Sequence, residues 1–153
     1  MSSHAAARIA GTLLAMFTVV SATADSDLIR PRKEGFRELG AAFKNVNDEL
    51  KSGTPQVYII QLSARQIRDA SRAQFTWFPA GSEPKAGVKT KAKPEIWTHT
   101  EEFKTAQDKF ATEATAFMSV AGTGDVTKIR AQAKQLGQTC KGCHEKFRVD
   151  DEE

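Results

Sequence analysis

The chain predicts an all-α protein, an antiparallel four-helix bundle. Three observations support this. Apolar residues recur at alternating spacings of three and four in four separate segments. The connections between most of these segments are short. Nowhere does a strand-like alternation of apolar and polar residues compete.

The first segment runs from about Asp27 to Lys51, with Phe36, Leu39, Phe43, Val46 and Leu50 along one face. Gly53 ends it. Thr54 is expected to cap the second helix, with Pro55 at its first position. That helix should run to about Trp77 and carry Val57, Ile60, Ala64 and Ile67 on one side. Residues 79–93 form the only long connection, broken by Gly81, Pro84 and Gly87 and bearing four lysines. A flexible basic linker and an ordered loop both fit this composition.

The third helix is expected to start at Pro94, where Glu95 complements the N-terminal dipole. Its core face is Ile96, Phe103, Ala106, Phe110, Ala114 and Phe117, and Gly122 and Gly124 end it. Asp125 should cap the fourth helix. There Val126, Ile129, Ala133, Leu136, Cys140, Cys143 and Phe147 continue the three–four alternation without a gap. Both cysteines therefore fall on the inward seam.

Those cysteines belong to Cys140-Lys141-Gly142-Cys143-His144, a Cys-x-x-Cys-His run. It is the attachment signature of a c-type haem. Two thiols at this spacing reach the two vinyl groups of one porphyrin, and the next imidazole sits under the iron as axial ligand. Other chemistries fit less well. A thioredoxin-like dithiol wants a βαβ context. A zinc site wants four ligands, and the remaining histidines are only His4 and His99. A disulfide between Cys140 and Cys143 would close almost no loop. The predicted cofactor is one haem c, bound covalently through Cys140 and Cys143 between helices near the C-terminus, with His144 on the metal.

The N-terminus agrees. His4 and Arg8 precede an apolar stretch from Ile9 to Val20, and Ala22-Thr23-Ala24 offers a small-residue cleavage site. Residues 1–24 read as a secretory signal peptide, with an uncleaved N-terminal helix as the alternative. Residues 25–153 form the domain, and no second apolar stretch is long enough to anchor it in a membrane. Export to the bacterial periplasm suits a c-type haem, which is attached outside the cytoplasm. The net charge of +3 over the whole chain, one unit less without Arg8, is too mild to imply nucleic acid. The end, Asp150-Asp151-Glu152-Glu153, reads as a solvated acidic tail.

Topology limits the second axial ligand. In an up-down-up-down bundle the start of the first helix lies beside the end of the fourth, so Phe36 is near His144 in height. Met118 is roughly 27 Å away at 1.5 Å per residue, which makes it core packing. His99 lies near haem level with an ambiguous facing. It is expected at the surface or behind the ligands, and as a ligand it would make the iron six-coordinate.

At this point the sequence resembles the cytochrome c′ family, the class II c-type cytochromes. The resemblance covers nearly all of residues 25–153. It is carried by the C-terminal Cys140–His144 run with Phe147-Arg148 after it, by Pro94-Glu95-Ile96-Trp97 opening the third helix, and by Arg32 four residues before Phe36. It implies that Arg32 pairs with a haem propionate, that Phe36 takes the distal position, and that Arg148 lies near the proximal face. Low-spin relatives carry a methionine at that distal position. Phenylalanine cannot bind iron, which implies a five-coordinate, high-spin centre with an apolar pocket. Trp77, Phe78 and Trp97 are candidates for the core or the haem edge.

The function so implied is one-electron transfer and binding of small gases such as NO and CO, with redox proteins as partners and a homodimer through the first two helices. The alternatives are a low-spin, six-coordinate electron carrier and a haem-free bundle that binds metal through Cys140, Cys143 and His144. Paired catalytic carboxylates and a nucleophile with its base are both absent, so no enzyme is expected.

Overall fold

The computed structural model describes residues 21–149 except 87, with side chains from residue 27 onward. The expected signal segment thus lies outside the described residues, apart from the backbone of 21–24, which is continuous with the first helix. The elements are α1 (Ser21–Lys51), α2 (Val57–Ala73), a 3₁₀ turn (Gln74–Thr76), α3 (Glu95–Thr98), α4 (Thr100–Gly122) and α5 (Val126–Phe147). α1 packs on α2, α2 on α4 and α4 on α5, whereas α1 touches α5 only lightly. This is the predicted four-helix bundle, with its loosest seam between the first and last long helices.

Local chemistry shifts three boundaries. Pro55 does not open α2. Gln56 is the residue before it, extended at φ −87° and ψ 95°, and its N–H is held by Glu49 Oε2 at 2.8 Å. The chain is still turning back from α1 at Thr54, so Thr54 caps nothing. α2 tightens into the 3₁₀ turn before Trp77 instead of reaching it as α-helix. The expected third helix is two pieces, because His99 leaves helical geometry at φ −118° and ψ 53°. The interruption is one residue long: His99 N–H still donates to Glu95 O (2.8 Å) and Phe103 N–H to His99 O (3.0 Å). The cap of α5 is as expected, with Lys128 N–H donating to Asp125 Oδ1 at 3.1 Å.

Packing divides the interior in two. The main core joins Val46 and Leu50 of α1, Ile60 and Ile67 of α2, Phe110 and Phe117 of α4, and Ile129 and Leu136 of α5. Met118 packs against it, so its expected structural role holds. A smaller cluster of Ile96, Phe103 and Phe147 lies at the other end, flanked by Phe78, Ala92, Trp97, Ala106 and Cys143. Between α2 and α4, two buried glutamines exchange bonds. Gln74 Nε2 donates to Gln107 O (3.3 Å) and Gln107 Nε2 to Gln74 O (3.2 Å). Each amide thereby satisfies a carbonyl on the opposite segment, which sets the register of the two helices.

The described residues of the 79–93 connection are tied down at several points. Trp97 Nε1 donates to Pro79 O at 3.3 Å. Lys93 N–H donates to Phe147 O (2.9 Å) and Val149 N–H to Lys91 O (2.8 Å), on either side of an antiparallel bridge between Ala92 and Arg148. The loop is thereby laced to the end of α5. Among the described residues, no helix is long and apolar enough to cross a membrane.

Candidate haem site

Cys140 and Cys143 sit three residues apart on α5, on neighbouring lines of one helical face. Each is half-buried and free. Cys140 packs against the main core and Cys143 against the smaller cluster, so the pair straddles the boundary between the two. Burial pushes both thiols up, and the neighbouring Cys140 adds to the effect at Cys143, which reaches about 11.

His144 follows at the exposed flank of α5. Partial burial and the positive charge of Arg148 both lower its pKa, favouring the neutral imidazole that can bind a metal. Arg148 N–H donates to His144 O at 3.0 Å, and the bridge to Ala92 fixes the backbone of Arg148. Among the described residues no three His, Cys, Asp or Glu side chains converge as a metal site, which leaves the haem-free metal alternative without a donor set.

The start of α1 supplies the opposing side. Arg32 is only 3% exposed. Its Nη1 donates to Ser82 Oγ (2.9 Å) and its Nη2 to Thr90 Oγ1 (3.0 Å). Its guanidinium lies 5.4 Å from the Phe78 ring and 5.5 Å from the Trp97 ring. Burial lowers its pKa, and Glu83 opposes that. The result is a buried cation held by two hydroxyls and two aromatic faces.

Phe36, one turn further on, is not buried in the core. It remains 37% exposed, and its ring rests against Trp77 and Phe78 beyond the end of α2. The inward positions of α1 are instead Ile29, Arg32, Leu39, Ala42, Val46 and Leu50.

Ring contacts link the two sides. Phe36 meets Trp77 at 4.8 Å and Phe78 at 6.0 Å between centroids. Phe78 meets Phe103 at 4.8 Å, and Phe103 meets Phe147 at 5.1 Å. The chain of rings ends one turn beyond Cys143, so Phe36 and the haem motif share one end of the bundle, as the topology predicts. His99 is not brought in. It is exposed, and its Nδ1 lies 3.0 Å from Thr98 Oγ1.

Sequence reasoning missed Ser82 and Thr90, whose association with Arg32 spans 50 and 58 positions. It also missed Gly35, whose signal was legible: a glycine inside a helix costs about 1 kcal/mol against alanine, so it implies a packing reason.

Two adjacent thiols on an inward seam, a neutral-leaning imidazole after them and an aromatic wall at the same height suit a covalently held porphyrin. The protein is, by class, a c-type cytochrome built on a four-helix bundle. Residues 27–148 match the Cytochrome C' family model, and the chain belongs to that family. It is 34% identical over 119 residues to the cytochrome c′ of Pararhodospirillum photometricum, covering 76% of this chain and 92% of that protein. It is 38% identical over 82 residues to that of Rubrivivax gelatinosus, covering 54% of this chain. That match spans 62% of the Rubrivivax protein, somewhat under two thirds of its length. The fold resembles a solved nitric oxide complex of a mutant cytochrome c prime from Alcaligenes xylosoxidans, with a TM-score of 0.75, 24% identity and coverage of 83% and 97% of the two chains. Haem c is the cofactor, attached through the two cysteines.

Proposed function

We propose that this chain is an exported periplasmic haem protein that transfers single electrons and binds NO and CO at an iron with one protein ligand, His144. Once bound, haem c supplies the redox centre and the open coordination position. The remaining chemistry belongs to the chain. Cys140 and Cys143 hold the group on α5 through thioether bonds. His144 donates its neutral nitrogen from one side. Partial burial, with the charge of Arg148 beside it, favours the neutral form of that imidazole.

Arg32 supplies a desolvated positive charge for a propionate, in exchange for its hydroxyl partners Ser82 and Thr90. Phe36 would stand beside the open coordination position of the bound haem. It has no lone pair, so it guards the position without filling it. His99 is turned to solvent and Met118 belongs to the opposite core. The observation that carries the reading is therefore Phe36 at the height of the haem motif, with His99 and Met118, the other candidate donors among the described residues, lying away from it. The nitric oxide complex of the Alcaligenes protein supports gas binding on this fold. Residues 1–24 serve as the export signal, and 25–153 as the functional domain. Nothing in the site calls for substrate turnover, so we assign no enzymatic activity.

The optical spectrum tests this. Ferric and ferrous protein should both be high-spin, and the ferrous form should take up CO. Phe36→Met should drive the spectrum towards a low-spin, six-coordinate form, while His99→Ala should leave it unchanged. A low-spin wild type that His99→Ala converts to high-spin would replace this proposal with the six-coordinate electron carrier.

A further inference from the structure

We infer that Trp77 is a positioning residue for Phe36: its indole braces the distal ring and thereby sets how readily a diatomic ligand reaches the iron. The inference rests on placing Phe36 beside the iron, as proposed above.

Four observations support it. First, the indole lies directly on the backbone of α1. A Cβ at Gly35 would stand 2.2 Å from Cζ2, 2.4 Å from Cη2 and 2.7 Å from Cε2 of Trp77. Only glycine leaves room for the ring there, which accounts for a helix-interior glycine next to Phe36. Second, the two rings differ in freedom. Trp77 is 7% exposed and Phe36 37%, so the indole is the fixed partner. Third, their contact is edge-to-face, with centroids 4.8 Å apart and planes at 78°, a favoured aromatic geometry.

Fourth, the brace is anchored away from α1. Trp77 N–H donates to Gln74 O at 3.1 Å, and the buried Gln74 is tied to Gln107 of α4. On its other side Phe36 meets Phe78, itself held by Phe103 and the Arg32 guanidinium. The Phe36 ring can therefore leave its place only by breaking its contact with a wall anchored to α2 and α4.

The consequence is an entry barrier shared between two residues. When Phe36 swings aside for an incoming ligand, it loses the edge contact to the indole. Without the indole the ring swings more freely, and without Phe36 the indole has nothing to brace.

The test is a double-mutant cycle on holoprotein, with CO association to the ferrous form followed by flash photolysis. Phe36→Ala should speed association. Trp77→Leu should speed it by about two- to tenfold, the range expected for one aromatic contact. In the Phe36→Ala background the same change should have no further effect. Trp77→Phe, which keeps an aromatic ring and is less disruptive, should fall between wild type and Trp77→Leu.

A readout independent of ligand is thermal unfolding. Gly35→Ala should lower the midpoint in wild type but not in the Trp77→Leu background, where the clashing ring is gone. Equal effects of Trp77→Leu with and without Phe36, or no effect of either Trp77 variant, would overturn the inference while leaving Phe36 beside the iron. No effect of Phe36→Ala itself would overturn the placement of Phe36, and the inference with it.

Discussion

Single residues at the two ends of the bundle carry contrasting electrostatics. Arg32 is a buried cation, and a positive charge close to a redox centre favours the reduced, less positive state. Arg32→Met should therefore lower the reduction potential in a potentiometric titration, and an unchanged potential would place the propionate elsewhere. Asp125 is an exposed cap whose carboxyl is held below its usual range by the Lys128 N–H and then by the Lys128 ammonium. Between the folded value and the ordinary 3.8 the unfolded chain binds more protons, so stability rises with pH across that window. The contribution is complete above 3.8 and is lost as pH falls through the folded value. Asp125→Ala should lower the thermal midpoint by a few degrees at neutral pH, with the difference from wild type shrinking in acid.

Helix pairs are joined by different means along their length. α2 and α4 meet at the Gln74–Gln107 exchange near the haem end and through Ile60, Ile67, Phe110 and Phe117 beyond it. Gln107→Leu removes one of the two donors to the Gln74 carbonyl, which keeps the Trp77 backbone N–H. It should cost about 0.5–1.5 kcal/mol in urea unfolding, the net worth of one hydrogen bond. Phe117→Ala should cost about 3–5 kcal/mol, because Phe117 is fully buried in a core built from all four long helices. The loop that follows the 3₁₀ turn is held at both ends, by Arg32 and by the bridge to Arg148. This anchoring was not legible from a glycine- and lysine-rich composition, because both partners lie far away in sequence.

Across the whole molecule, the two clusters should respond differently to haem. The main core is closed by its own side chains. The smaller cluster borders Cys143, and Cys140 stands where it meets the main core. Protein with Cys140→Ser and Cys143→Ser should therefore unfold at a lower temperature. Hydrogen exchange should quicken first in α3, the 79–93 loop and the last turns of α5, while amides around Val46, Ile60 and Ile129 stay protected. Uniform loss of protection would contradict this division.

Periodicity and one short motif were enough to determine the helical class, the four long helices and the covalent haem, and they point to His144 as the axial ligand we propose. Each depends on residues within a few turns of one another, and local spacing encodes such relations directly. The level of Phe36 and the remoteness of Met118 followed too, since an up-down bundle converts sequence distance into height. Tertiary structure alone decided which flank of a helix meets a partner and what lies across a gap. It broke the third helix at His99 and turned that side chain outward. It moved Phe36 from the core to a half-exposed place beside Trp77, gave Arg32 its two hydroxyls, and seated Trp77 on Gly35. Each of these contacts joins residues 40 or more positions apart or turns on how helices pack side by side, and a three–four repeat records which face is apolar but not which neighbour covers it.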